Sequence, residues 1–512
     1  MAARSGVGRA ALLVSALTAL STVLGLVRDA VIAAVYGAGA QLDAWFVALG
    51  LSSILLGVLG TSLNRAVTPQ VAREADAEST GEGMPCAGHP GWWTATVVGT
   101  VALGVVGVLL GVAAGPVSAV LAPGLAATDD GTLVLLVRVV LLATVLIAAT
   151  DLLAGLAQGH GVFRWAALQG VPFNVVMIAA AALLGPRLGV VALAWGFVVG
   201  SLLRMLLQLW PAWRHRWRLR ARWDLGGPAW REVRAMVPAL MVGQAVVNVN
   251  TLVDRAVAST VEEGAVTAIF LGWRLVNLPQ VLVVAALMAP LYPAMGSAAA
   301  RGARELRGLV HRGTGVTLTV LVPVVALLAA VPHEVVSLAF GRGGFDDEAV
   351  AATATAVLWF LPALLAVGWR QVVVSASYAV GDTRGPVAVS ILAMVVNVVG
   401  DLTLAPVMGV PGIVLATSVS LVLAAVLTSL LVARRHRLLA GRVARGQLSR
   451  ATVGGAAAGL AGWLASRLLG DLHDLVVVAA VGAVVLAVQQ GVLHLLRAPE
   501  RHVARDVLAR LR

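Results

Sequence analysis

Apolar residues fall in blocks of about twenty along nearly the whole chain. A helix rising 1.5 Å per residue needs about that many to cross the ~30 Å hydrocarbon core of a bilayer. Six blocks centre on residues 12–35, 43–63, 93–121, 132–157, 162–184 and 188–210. Beyond an arginine-rich stretch, six more centre on 234–258, 265–290, 309–331, 349–378, 385–408 and 411–433, and a last two on 451–468 and 474–496. The pattern predicts an all-α polytopic membrane protein of fourteen spans.

Polar interruptions of these blocks repeat. Val253-Asp254-Arg255-Ala256-Val257, near the end of the seventh block, answers Val27-Arg28-Asp29-Ala30-Val31 near the end of the first, with the two charges exchanged. Phe173-Asn174-Val175-Val176 and Val396-Asn397-Val398-Val399 match at nearly the same separation. A duplication on this scale divides the chain into an N-terminal lobe over 1–211, a cytoplasmic connector over 212–233, a C-terminal lobe over 234–435, and two appended spans with a cytoplasmic tail over 436–512. A polar cavity is expected between the lobes.

Composition fits the pattern: of 512 residues, 59% are hydrophobic and 12% charged, too little polar surface for a soluble chain. The net charge of +12 is carried by arginine, with no lysine. It sits between apolar blocks rather than on one face interleaved with aromatics, which excludes nucleic acid as partner. Arg4, Arg9, Arg164, the run Arg214 to Arg222, Arg301 to Arg312, Arg384, Arg434 to Arg437, Arg501 and Arg505 share one side; Asp129, Asp130, Glu262, Glu263 and Asp346 to Glu348 share the other. The positive-inside rule then puts both termini in the cytoplasm. The first block runs to Tyr36 without a cleavage site, unlike a signal peptide. The lone Cys86 excludes an internal disulfide and has no metal-ligand neighbours.

Arg28, Asp29, Arg138, Asp151, Asp254, Arg255, Arg274, Arg370 and Asp401 fall at membrane depth, where each would cost roughly 2.5–3.5 kcal/mol facing lipid. They are expected to face a cavity or one another. Arg138 and Asp151 read equally well as mutual helix glue, whereas the repeat favours a shared cavity for Arg28, Asp254 and Arg274. Aligning Asn174 with Asn397 sets Gly189 on Gly412, Ile178 opposite Asp401 and Ala194 opposite Thr417, so the second lobe holds oxygen donors that the first lacks. Asn397 and Asp401 share one helix face. With Thr417 on the next helix and Asp254 from the seventh, they suit a small hard cation; a carboxylate pair exchanging a proton is the alternative.

Five motifs then carry a resemblance: Ser21-Thr22-Val23-Leu24-Gly25-Leu26-Val27-Arg28-Asp29; Gly37-Ala38-Gly39 with Asp43-Ala44-Trp45-Phe46-Val47-Ala48; Trp273-Arg274-Leu275 with Leu278-Pro279; Phe340-Gly341-Arg342-Gly343-Gly344-Phe345-Asp346; and Tyr378-Ala379-Val380-Gly381-Asp382-Thr383-Arg384. In this order and spacing, over about residues 10–435, the chain resembles the MurJ (MviN) lipid II flippases of the MOP exporter superfamily. The resemblance implies two pseudo-symmetric six-helix lobes plus two C-terminal helices in the bacterial cytoplasmic membrane. It implies alternating access that flips lipid II, an undecaprenyl-diphosphate-linked muropeptide, to the outer leaflet, coupled to sodium and/or membrane potential. Arg28, Asp43 and Arg274 match positions important in the family, and Asp29 and Arg255 join them in the expected substrate-binding set. The family's sodium ligands match Asp254, Asn397, Asp401, Thr417 and the Ile413 carbonyl. Membrane lipid and cell-wall synthesis proteins are the implied partners, and the last two helices either form a groove for the lipid tail or pack on the second lobe.

Two departures bear on the cargo. Thr22 and Leu56-Gly57 stand where the family carries arginines, leaving a less cationic cavity, so a flippase for another polyprenyl-diphosphate glycan is the alternative. Enzymatic chemistry is not expected: the nine histidines are scattered without metal or nucleophile spacing. A cation-coupled multidrug antiporter would want cavity acids without Arg28 and Arg274.

Overall fold

A computed structural model describes residues 2–80, 90–127, 131–214, 224–470 and 472–499. Cys86, Asp129, Asp130, Arg216 to Arg222, Arg501 and Arg505 lie outside the described residues. Among those described, the regular elements are all helical. They form two compact units, one of residues 1–266 with Gly343–Phe345, the other of residues 267–342 with 346 onward.

In the first unit, α1 (Ala2–Tyr36) leads to α2 (Ala40–Leu55), which continues through a π-helical turn at Leu56–Gly60 into α3 (Thr61–Thr80). The block expected over 93–121 is broken into α4 (Pro90–Val112) and α5 (Ala114–Leu121), followed by α6 (Pro123–Ala126). Then come α7 (Thr132–Gly159), α8 (Arg164–Leu168), α9 (Gly170–Ala179), a second π-helical turn, α10 (Gly185–Leu188), α11 (Val191–Arg214) and α12 (Pro228–Ala258). Helix α12, which bears Asp254 and Arg255, packs on α2, α3 and α4. A core of Leu63, Val67, Trp92, Leu152, Leu156 and Val233 joins these elements.

The second unit holds α13 (Ala265–Arg301), α14 (Ala303–Ala330), α15 (Pro332–Phe340), α16 (Asp347–Ala379), α17 (Arg384–Met408), α18 (Val410–Leu431), α19 (Gly441–Leu469) and α20 (Asp474–Leu495). Asp346 caps α16 by accepting from Ala349 N–H at 3.0 Å, with Asp347 and Glu348 in the first turn; acids here satisfy a helix N-terminus. Small residues let α17 and α18 pack closely: a Cβ on Gly412 would fall 2.5 Å from the Leu404 carbonyl oxygen, and one on Gly400 2.7 Å from Ala416 Cβ.

Thirteen of the described helices are long and apolar enough to span a bilayer. The stretch 451–468, expected as a further span, is helical within α19. It is rich in glycine and alanine and contains Arg467, which lowers its hydropathy.

Two of the sequence motifs meet inside the first unit. Gly37 ends α1 at φ +67°, and Gly344 N–H donates to the Ala34 carbonyl at 2.7 Å. Gly343, at φ +63°, lies so close to Ala34 that a Cβ there would sit 2.3 Å from the Ala34 oxygen. Both positions demand glycine on conformation and on space.

The alignment of the repeat needs correction beyond Asn174. Gly189, at φ 59° and ψ −152°, opens α11; its counterpart in backbone geometry is Gly409, at φ 64° and ψ −139°, not Gly412. The first unit therefore has three extra residues between its asparagine and this turn, and the π-helical turn Ala180–Leu184 lies within that stretch. Thr417 then corresponds to Phe197 rather than Ala194. Asp401 and Ile178 precede the insertion and keep their equivalence.

Candidate functional site

Arg28 is held on three sides. Its Nε and Nη2 donate to Asp29 Oδ1 at 3.0 and 2.7 Å, and Nη1 donates to Asn174 Oδ1 at 3.1 Å. Asn174 Nδ2 in turn donates to the Ser21 carbonyl at 3.1 Å, which fixes the amide's orientation and binds α9 to α1. Asp29 is 2% exposed and the Arg28 side chain 19%. The guanidinium thus combines a neutralising partner with remaining donors. Its Cζ also lies 5.9 Å from the Phe173 ring centre, and Phe173 stacks edge-on to Phe197, which stacks edge-on to Trp45.

Asp43 and Arg255 take positions fixed by backbone. Asp43, buried, accepts from Gly264 N–H at 2.8 Å, while Glu263 Oε1 accepts from Ala40 N–H at 2.9 Å. The two carboxylates tie the start of α2 to the turn after α12. Arg255 passes over Gly50, where a Cβ would lie 1.8 Å from Nη1; the missing side chain makes room for the guanidinium. Asp254 is half-buried on α12 in this unit, and Arg274 is half-buried on α13 in the second.

Arg138 and Asp151 do not pair. They are thirteen residues apart on the single helix α7, about 20 Å along its axis. Arg138 Nε instead donates to the Gly111 carbonyl at 3.1 Å, and Asp151 acts electrostatically on Arg204 of α11.

Four of the five expected ion ligands lie in the second unit, on α17 and α18. Asn397 and Asp401, both 0% exposed, lie on α17, and Asn397 Nδ2 donates to Asp401 Oδ2 at 2.7 Å. Ser420 Oγ on α18 donates to Asn397 Oδ1 at 3.1 Å. Thr417 Oγ1 donates to the Ile413 carbonyl at 3.1 Å. The donors here are carboxylate, amide, hydroxyl and carbonyl oxygen, the ligand chemistry of hard cations, and among the described residues no three His, Cys, Asp or Glu side chains cluster. An amide turned over would present its oxygen toward Asp401 and its nitrogen to the Ser420 hydroxyl, which can accept as well as donate. Sequence reasoning did not single out Ser420.

Arg370, on α16, donates to Ser390 Oγ at 2.6 Å and to Thr428 Oγ1 at 3.4 Å, tying α16 to α17 and α18. Beside these helices an apolar groove of about 1080 Å³ runs between α14, α16, α18 and α19, lined by Val322, Trp369, Val426, Leu448 and Trp463 with Arg445 along it.

At the ends of α16 and α18, Asp382 collects three donors: Gly385 N–H at 3.0 Å, His436 Nε2 at 2.9 Å and Arg435 Nη1 at 3.4 Å. The His436 hydrogen bond, then that from Gly385, hold its carboxyl below the usual carboxylate range. A carboxyl depressed in the folded state stabilises the fold above its unfolded pKa, about 3.9, and that contribution is lost as pH falls through the lower folded value. The melting temperature of the purified protein should therefore fall more steeply below about pH 4 in the wild type than in Asp382→Asn. Equal acid dependence would remove this clasp from the account of stability.

Against known proteins, the chain matches the family described as lipid II flippase MurJ over residues 32–481. It is 28% identical over 426 residues to the lipid II flippase MurJ of Burkholderia cenocepacia, covering 80% of this chain and 81% of that protein. It is 28% identical over 425 residues to a probable lipid II flippase MurJ of Vibrio cholerae, covering 80% of each. A solved structure described as lipid II flippase MurJ in an inward closed conformation superposes with a TM-score of 0.77 at 16% identity, over 94% of this chain and 99% of that one. An inward-facing multidrug resistance MATE transporter of the MOP superfamily superposes at 0.69 and 16% identity, over 85% and 99%.

Proposed function

The chain belongs to the family of the lipid II flippase MurJ, a multi-pass membrane transporter and not an enzyme, and from that premise we propose that it carries lipid II from the cytoplasmic to the outer leaflet by alternating access. The observation that carries the proposal is the pair of polar centres at membrane depth, Arg28 with Asn174 in one unit and Asn397 with Asp401 in the other. Arginine meets a diphosphate through parallel N–H donors, so Arg28 and Arg255 of the first unit would bind the pyrophosphate of the cargo, and Arg274 of the second unit is proposed separately as an anion-binding residue. Asp29 offsets the Arg28 charge, and Asp43 positions the turn after α12. The apolar groove beside α19 suits the undecaprenyl tail.

Sodium fits the oxygen set of Asn397, Asp401, Thr417 and the Ile413 carbonyl, where it would supply a positive charge to the buried carboxylate. A bound ion shifts a transporter between its two states only by its differential affinity for them. The N-terminus and the arginine-rich connector are assigned to the cytoplasm, where cell-wall synthesis proteins have access to them.

Complementation tests the cargo. Expression in a bacterium depleted of its own lipid II flippase should restore growth and cell-wall synthesis. Failure by a protein shown to be inserted would shift the cargo to another polyprenyl-diphosphate glycan, the reading that Thr22 and Leu56-Gly57 favour.

A further inference from the structure

Phe173 is flanked by two cations. Besides Arg28 from α1 at 5.9 Å, Arg204 from α11 places its Cζ 5.3 Å from the same ring centre. Both arginines lie well inside candidate spans, Ala16–Tyr36 and Val191–Arg214. Arg204 Nε is buried without a hydrogen-bond partner, and its counter-charge, Asp151, comes from a third helix, α7. A buried donor left unused costs about 1–3 kcal/mol, and two guanidiniums around one ring repel each other. An anion accepting from both relieves both costs.

We infer that Arg204 is a further anion-binding residue, contacting one phosphate of a diphosphate whose other phosphate meets Arg28. This rests on the lipid-diphosphate cargo proposed above. Both guanidiniums lie against the Phe173 ring, and cation–π attraction holds each beside it. Asp29 and Asp151 leave the group near neutrality before the anion arrives, so the ligand has to compete with two carboxylates. That competition keeps its hold weak enough for release.

The test compares binding of undecaprenyl diphosphate and undecaprenyl monophosphate to the purified full-length protein in lipid nanodiscs. Wild type should prefer the diphosphate. Arg204→Gln should lose about tenfold in diphosphate affinity, as expected for one charge-assisted hydrogen bond, while its monophosphate affinity changes less than about twofold. Arg204→Lys, which keeps the charge but not the planar fork, should retain binding with reduced discrimination, and it decides the matter if the glutamine variant does not fold. Unchanged discrimination in the variants, or equal losses for both lipids, overturns the inference and leaves the cargo reading intact. A wild type that binds neither lipid overturns the cargo reading itself.

Discussion

Removing the Arg28 charge alone should damage both fold and transport, whereas removing Arg28 and Asp29 together should abolish transport and spare the fold. In Arg28→Ala, Asp29, which is 2% exposed in the wild type, loses the Arg28 Nε and Nη2 donors. Breaking one side of a buried pair costs about 3–5 kcal/mol, whereas replacing both sides with neutral groups of similar shape is close to neutral. The double variant Arg28→Gln, Asp29→Asn keeps hydrogen-bonding shape, and Asn174 can still donate to the Ser21 carbonyl. Melting temperature in detergent and lipid flipping in reconstituted vesicles separate the two effects. A double variant that flips at the wild-type rate would reduce the pair to helix glue.

The wild type should be stabilised by sodium over potassium at fixed ionic strength, and Asp401→Asn should erase that difference. An ion bound only by the folded state stabilises it by about 2.7 kcal/mol at a hundred times its dissociation constant, a shift of a few degrees in melting temperature for a large domain. Asp401 and Asn397 are fully buried, and the substitution preserves shape while removing the charge that attracts the cation. Ile178→Val, at the equivalent point of the first unit, should leave the sodium response unchanged. A wild type stabilised equally by the two cations would return Asp401 to the role of proton carrier or structural partner of Asn397.

The helical architecture was legible because apolar length alone identifies a span. Interruptions within spans were not. Nothing in the composition of Leu56–Gly60 or Ala180–Leu184 marks a π-helical turn. For that reason the repeat could be aligned through Asn174 and Asn397, both buried, yet slipped by three residues at Gly189 and Gly409. In the candidate sites, Asn397 with Asp401 followed from a four-residue spacing on one face. Arg28 with Asn174 could be marked only as members of repeated segments, since their hydrogen bond joins helices 146 residues apart in sequence. Arg204 gave no signal, because its relation to Phe173 and Asp151 exists only once α7, α9 and α11 are packed. Asp43 stood out through its motif, but its partner, the Gly264 backbone N–H, has no side chain for sequence to display.

The adjacency of Arg28 and Asp29 also bears on how the chain enters the membrane. Domains emerge N-terminal end first, and an arginine at the centre of an inserting helix costs a few kcal/mol unless something offsets it. Arg28 carries its counter-charge in the next residue, so α1 can partition into lipid already compensated, before any other helix exists. Arg204 follows a different schedule: Asp151, on α7, has left the ribosome before α11 is made. Each of these two arginines thus meets its carboxylate no later than it meets the bilayer.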